Sequence, residues 1–345
     1  MPNPIQDSAS TAAVLKQPIP DVRVTPVTSA MALVANELQE VETKLTELLT
    51  SKVAIIPDIG GHLVFAGGKR FRPMTTLLAA RAAGYEGQGH VTVAAAAELL
   101  HTATLLHDDV IDEGEFRRGR RAARLQYGNG LSVLTGDYCY ARSLQAVAHL
   151  GHTRATQTMA DTVTRMAEGE VAQLHTAGAW ELDRARYEMV VERKTAALIA
   201  WCAAVGYLVE PRAAKALARY GREVGFAFQI ADDIIDYSLD VDGSGKRRGQ
   251  DLREGKATLP LILACERDPT LASRLQRFVR EDRILDDAQV DELVTRVLEA
   301  QGLSAARVAA CDHVDAALAA LTVLPRSPAR AALEELARYI VERTA

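Results

Sequence analysis

The sequence is short of aromatic residues, spare with cysteine and lacks a membrane-length apolar run, and each shortage removes a class of answer. Phe, Trp and Tyr together make up 5% of the 345 residues, while alanine is abundant. That composition favours helix over sheet, whose pleated faces are usually filled by aromatic and β-branched side chains. The four cysteines, Cys139, Cys202, Cys265 and Cys311, lie far apart, with no CxxC pair and no His/Cys cluster of zinc spacing. They read as reduced and mostly buried, as expected in the cytoplasm. The longest apolar run, Ala196–Val209, stops at fourteen residues, the length of a core helix rather than a transmembrane segment. The net charge is −5 with both signs interspersed, so there is no basic field for nucleic acid.

The first 28 residues are rich in proline (Pro2, Pro4, Pro18, Pro20, Pro26) and carry no charged-then-apolar export pattern. Residues 1–28 are expected to form a mobile extension, and residues 29–345 a single all-α domain. From Ser29 onward the apolar residues Val34, Leu38, Val41, Leu45 and Leu48 recur at steps of four and three, one stripe of an amphipathic helix. A connection is expected over Pro57–Gly68, then a helix beginning near Pro73. Further helices are expected over Val91–Glu113, Leu131–Leu150, Arg154–Thr176, Arg184–Val205, Arg212–Tyr237 and Leu259–Arg267, with shorter ones to the end. Strand-type alternation is nearly absent. The pattern predicts one large helical bundle around a central cavity, apolar faces inward.

What composition does not explain is Leu105–Arg118, reading LLHDDVIDEGEFRR. Asp108, Asp109 and Asp112 crowd the end of an apolar helix, where carboxylates repel one another unless a cation holds them. Asp108 and Asp112, four apart, share a helix face. Mg²⁺ commonly takes one or two protein carboxylates and completes its shell with water and phosphate oxygens, so the pattern points to a metal-bridged diphosphate. Ala94, Ala97, His101 and Thr104 continue the same face. His101 is either a core histidine or a phosphate ligand, and spacing does not decide; His107 reads as structural. Upstream, Gly67-Gly68-Lys69-Arg70-Phe71-Arg72 concentrates positive charge just before a helix N-terminus.

A second cluster, Asp232, Asp233 and Asp236 in FQIADDIIDY, repeats the arrangement. Two such clusters facing each other in a bundle could clamp metal ions from both sides. Beyond it, Lys246-Arg247-Arg248 and Lys256 return cations to the same end. Asp240, Asp242, Ser244, Gly245 and Asp251 also match a calcium loop, but position twelve is Asp rather than a bidentate Glu, and basic residues fill the middle.

Together GGKRFRP, HTATLLHDDVIDEGEFRRG, ERKTAAL, FQIADDIIDY and GKRRGQDLREGKATLPL, in that order, resemble the trans-isoprenyl diphosphate synthases from about Ala30 to the C-terminus. The resemblance implies the isoprenoid synthase fold, a homodimer, and two aspartate motifs facing across a cavity. It implies Mg²⁺ on Asp108, Asp112, Asp232 and Asp236. It assigns isopentenyl diphosphate to Lys69, Arg72, His101 and Arg118. It assigns an allylic diphosphate and its metal shell to Arg117, Lys194, Thr195, Gln229, Lys246 and Lys256. Catalysis would then rest on Asp108, Asp112, Arg117, Lys194, Asp232 and Lys256, which stabilise charge on the leaving diphosphate. No Ser, Cys or His nucleophile is needed.

In this family bulky aromatics one turn below the first motif stop growth at short chains. Here those positions are Ala103 and Thr104, and the next turns offer Ala97 and Ala94. A deep tunnel is therefore expected, with its floor near Cys139 and Tyr140. The expected product is an octaprenyl to decaprenyl chain for a quinone side chain, handed to a membrane.

Overall fold

The computed structural model describes residues 25–238, 248–280 and 285–344. It opens with α1 (Pro26–Leu33), α2 (Ala35–Leu49), α3 (Ile55–Val64), α4 (Phe71–Ala82) and α5 (Gly89–Ile111). A hairpin of two-residue strands, β1 (Phe116–Arg117) and β2 (Arg120–Arg121), leads to α6 (Ala123–Tyr127), α7 (Asn129–Ala148) and α8 (Thr153–Thr176). Next, α9 (Arg184–Val191) passes through a π-helical turn at Glu192–Ala196 into α10 (Ala197–Ala203). Then come α11 (Pro211–Ser238), α12 (Gln250–Arg253), α13 (Leu259–Arg267), α14 (Pro269–Arg280), α15 (Asp287–Glu299), α16 (Gly302–Leu321) and α17 (Pro328–Glu342). No helix among the described residues is long and apolar enough to cross a membrane.

Local chemistry sets many of the ends. Thr25 and Thr28 form a reciprocal capping box with Pro26 in the first turn, so folded chain begins inside the stretch expected as an extension. The stripe that starts at Val34 is interrupted there, because Val34 is the non-helical junction between α1 and α2. Pro57–Gly68 is largely helix α3 rather than a connection. α4 starts two residues before Pro73, with Arg70 at its N-cap in the left-handed region (φ 46°).

That Arg70 conformation is held by side-chain chemistry. The guanidinium donates to Glu42 at 2.6 Å, to Glu98 at 3.0 Å and to the Val64 carbonyl at 2.9 Å. Arg70 therefore points into the body and joins α2, α4 and α5. Its charge is met largely by those two carboxylates.

Two long helices organise the rest. α5 is surrounded by α2, α3, α4 and α7, and Ala94 to Ala97 are fully buried, as expected for a helix apolar on all sides. α11 packs on α10, α16 and α17. Glycines allow the π turn to be gripped from both sides. A Cβ on Gly225 of α11 would lie 2.5 Å from the Ala196 Cα, and one on Gly169 of α8 would lie 2.7 Å from the Lys194 nitrogen. Lys194 and Thr195 thus project from a turn fixed by close backbone contact.

Candidate active site

A 100° step per helical residue separates the aspartates within each cluster. In the first, the middle aspartate turns inward: Asp109 is fully buried and accepts from Arg117 Nε at 2.8 Å. Asp108 lines a cavity beside Lys194 and Glu170. Burial pushes its carboxyl up to about 6, with Lys194 opposing and Glu170 adding to the shift. Asp112 ends α5, 4.0 Å from Lys256 Nζ. The Arg118–Gly119 turn, both residues left-handed, closes the hairpin and sends neighbouring arginines apart. Arg117 goes to Asp109, and Arg118 donates to the Leu63 and Gly67 carbonyls.

The second cluster repeats the inward turn. Asp233 is 3% exposed and accepts from Tyr187 Oη at 2.6 Å and Gln229 Nε2 at 2.9 Å. Its carboxyl is raised, chiefly by burial. Asp232 pairs with Arg343, the residue that caps the C-terminus of α17, at 2.8 Å. Asp236 accepts the Gln250 and Asp251 amides at 3.1 and 3.2 Å, which caps α12. Expected as a metal residue, Asp236 also anchors the loop that delivers Lys256, because a carboxylate at a helix N-terminus satisfies its orphan amides.

Cations gather in a cavity of about 480 Å³ lined by Lys69, Arg72, His101, Arg117, Arg118 and Arg343, with Phe228, Gln229 and Thr195. Arg72 Nε and Arg343 Nε are buried without a hydrogen-bond partner, which is what an anion-binding cavity would leave for its ligand. Burial, and then Arg72, Arg118 and Arg117, hold His101 well below its ordinary pKa. The imidazole is neutral at pH 7 and able to donate from one nitrogen.

A second cavity, about 410 Å³, adjoins it at Arg72, His101 and Thr195. Asp108, Glu170 and Lys194 stand at its polar end; Leu100, Ala103, Thr104, Tyr140, Met166 and Leu198 line the apolar part. Ala103 and Thr104 are therefore on its wall, as expected. Ala97 and Ala94 are not: both are sealed in the core. Of the expected floor residues Tyr140 lines the cavity, while Cys139 is fully buried in the core beneath α5. The described cavity is shallower than small residues on α5 alone implied, because α7, α8 and α10 fill the space.

Lys194 is held by Glu170 at 2.5 Å and by Gln173 Oε1 at 2.7 Å. Lys256 pairs with Glu254, and its carboxylate neighbours outweigh burial to raise its pKa. Sequence reasoning missed Glu170, Gln173, Tyr187 and Arg343. All four are single polar residues on helices with no local motif to mark them. Lys246 and most of the calcium-loop positions lie outside the described residues.

Among the described residues no three Asp, Glu, His or Cys side chains form a metal cage by themselves. The donor set is instead carboxylates on two helix ends, Asp108 beside Lys194, Asp112 near Lys256, Asp232 on Arg343 and Asp236 on the α12 amides. All-oxygen donors, few per ion, fit a hard divalent metal that keeps water and takes phosphate oxygens. A divalent ion against Asp108 would also favour the ionised form that burial disfavours.

A cationic anion cavity and an apolar cavity meeting between two aspartate-bearing helix ends define a helical enzyme for diphosphates with apolar tails. The chain belongs to the polyprenyl synthetase family, whose model matches residues 53–297. It is 41% identical over 318 residues to octaprenyl diphosphate synthase of Escherichia coli (strain K12), spanning 90% of this chain and 97% of that one. Nonaprenyl diphosphate synthase of Mycobacterium tuberculosis is 36% identical, over 90% of this chain and 94% of its own. A polyprenyl synthase from Caulobacter crescentus CB15, crystallised with calcium and isoprenyl diphosphate, superposes with a TM-score of 0.87 at 39% identity, covering 94% of this chain and all of that one. The fold is the all-α isoprenoid synthase fold, and the protein is a prenyltransferase.

Proposed function

We propose that the protein condenses isopentenyl diphosphate head-to-tail onto an allylic diphosphate, farnesyl or geranylgeranyl, and repeats this to an octaprenyl to decaprenyl length. The observation that carries the reading is the junction of the two cavities at Arg72, His101 and Thr195. Isopentenyl diphosphate occupies the cationic cavity, against Lys69, Arg72, His101 and Arg118. The allylic diphosphate lies between the clusters, with its tail in the apolar cavity.

Mg²⁺, held by Asp108, Asp112, Asp232 and Asp236, supplies charge stabilisation for the leaving diphosphate. Arg117, Lys194 and Lys256 add fixed positive charge there, with Lys246 assigned by resemblance alone. The apolar wall keeps water from the allylic cation, which the double bond of isopentenyl diphosphate attacks before a proton is lost to the released diphosphate.

Eight to ten isoprene units, at about 5 Å each when extended, exceed a cavity whose α5 wall ends at Leu100, roughly 12 Å along the helix from Asp108. The tail therefore leaves by the flank of α8, where Ala167 and Val171 are exposed and line the cavity. Val171 and Leu174 of α8 and Leu131 and Leu134 of α7 are exposed apolar residues, a surface suited to a second copy of the chain and consistent with a homodimer. A single domain from about residue 26, a cytoplasmic location suited to four unpaired thiols, and delivery of the product to a membrane for a quinone side chain complete the proposal.

The test is to incubate the purified chain alone with farnesyl diphosphate, isopentenyl diphosphate and Mg²⁺, with a chelator control, and size the product. A twenty-carbon product would mean a geranylgeranyl diphosphate synthase. A released hydrocarbon would mean a cyclase, and no incorporation a non-catalytic partner subunit.

A further inference from the structure

Asp233 stands in the second aspartate cluster, 3% exposed, on the wall of a cavity of about 170 Å³ shared with Tyr187, Lys194, Thr195, Gln229 and Lys256. Both its oxygens are taken, Oδ2 by Tyr187 Oη at 2.6 Å and Oδ1 by Gln229 Nε2 at 2.9 Å. Gln229 Oε1 in turn accepts from Thr195 Oγ1 at 2.9 Å. A hydrogen-bond chain thus runs Tyr187–Asp233–Gln229–Thr195, from α9 through α11 to the π turn. Its ends differ. Tyr187 is 9% exposed, its ring packed with Val191, Phe226, Ile230 and Ile234. Thr195 and Gln229 line both the cationic cavity and the smaller one shared with Lys194, Asp233 and Lys256.

The chemistry of the middle link fixes the far end. When ionised, Asp233 only accepts, so the Gln229 amide must turn its NH₂ toward Asp233 and its oxygen toward Thr195. The second amide hydrogen of Gln229 then remains for the smaller cavity beside Lys194 and Lys256, as a donor. Without Tyr187 the buried Asp233 oxygen loses its donor, and the carboxylate is drawn toward the cleft and its metal ions. Gln229 can then reverse and set its carbonyl oxygen against a diphosphate, where like partial charges repel.

We propose that Tyr187 is a positioning residue for the allylic diphosphate: through Asp233 it orients the Gln229 amide as a donor and keeps the middle aspartate out of the metal shell. This rests on the function proposed above. Lys69, Arg72 and Arg118, which receive isopentenyl diphosphate, are not in the chain, and Gln229 also lines the smaller cavity beside Lys194 and Lys256, so the effect falls on the allylic diphosphate.

The experiment is calorimetric titration of the full-length protein, at fixed Mg²⁺, with geranyl thiodiphosphate, which resists ionisation, and separately with isopentenyl diphosphate. Tyr187→Phe keeps the packed ring and removes the donor. Losing a hydrogen bond to a charged group should weaken thiodiphosphate binding roughly tenfold or more, leave isopentenyl diphosphate binding unchanged, and add nothing in a Gln229→Ala background. The inference is overturned by unchanged thiodiphosphate binding, by equal weakening of both ligands, or by full additivity with Gln229→Ala. Should Tyr187→Phe not fold, Asp233→Asn removes the acceptor through which Tyr187 acts and is held to the same criteria. Failure of the unaltered protein to bind either diphosphate would instead remove the proposed function.

Discussion

Placing a phenyl ring at Ala103 or Thr104 should convert a long-chain enzyme into a short-chain one. Both residues line the apolar cavity beneath Asp108. At 1.5 Å per residue, they lie about 7.5 and 6 Å along α5 from that aspartate. An isoprene unit spans four carbon–carbon bonds, about 5 Å when extended. A ring at either site therefore leaves room for one to two units below the reacting carbon, and growth should stop at roughly two to three units in total. The two substitutions differ in their side effects. Ala103 is 2% exposed, so overpacking there should cost about 1–3 kcal/mol. Thr104 is only partly buried, and its hydroxyl donates to the His101 carbonyl at 2.8 Å, a loss of about 1 kcal/mol. The assay starts from geranyl diphosphate with excess isopentenyl diphosphate and Mg²⁺, sizes the dephosphorylated products by mass spectrometry, and records melting curves beside them. Unchanged product length from two folded variants would refute the placement of the tail along α5.

Three other outcomes follow from the geometry. Arg70→Ala leaves Glu98, at 3% exposure, without its cation, and should cost about 3–5 kcal/mol in urea unfolding; a raised KM for isopentenyl diphosphate at full stability would instead make Arg70 a substrate residue. Gly225→Ala forces a Cβ to 2.5 Å from the Ala196 Cα, so the π turn must shift, lowering stability by about 1–3 kcal/mol together with turnover; wild-type values for both would show that the grip is unnecessary. Glu223 is 8% exposed, and although burial opposes its ionisation, the His313 hydrogen bond and Arg222 lower its pKa overall. Below the ordinary carboxyl value of about 4.3 the unfolded chain binds this proton first, so its contribution is present above that pH and is lost as pH falls through the folded pKa. Glu223→Gln should therefore flatten the acid limb of the stability curve, and an unchanged limb would contradict the linkage.

Much of this was legible in the sequence because helices are local. The apolar periodicity placed α7, α8, α11 and α13 within a few residues, and four-residue spacing put Asp108 with Asp112. Pro57–Gly68 reads as a connection because Pro57, Gly60 and Gly61 interrupt it, whereas Ile59, Leu63 and Val64 bury a face that stabilises α3. Arg70 looked like its neighbours Lys69 and Arg72, since nothing local shows that Glu42 and Glu98 lie within reach.

The sequence by itself determined the helical class, the two aspartate clusters and the small residues below the first motif, because each depends on residues within about one helical turn. Tertiary structure decided what those residues meet. It paired Asp232 with Arg343, more than a hundred positions away, turned Asp236 to the α12 amides and joined Tyr187 to Asp233. It also sealed Ala94 and Ala97 and bounded the cavity with Tyr140 and Leu198. Cavity depth and side-chain partnership depend on which helices pack together, and helical periodicity carries no information about that.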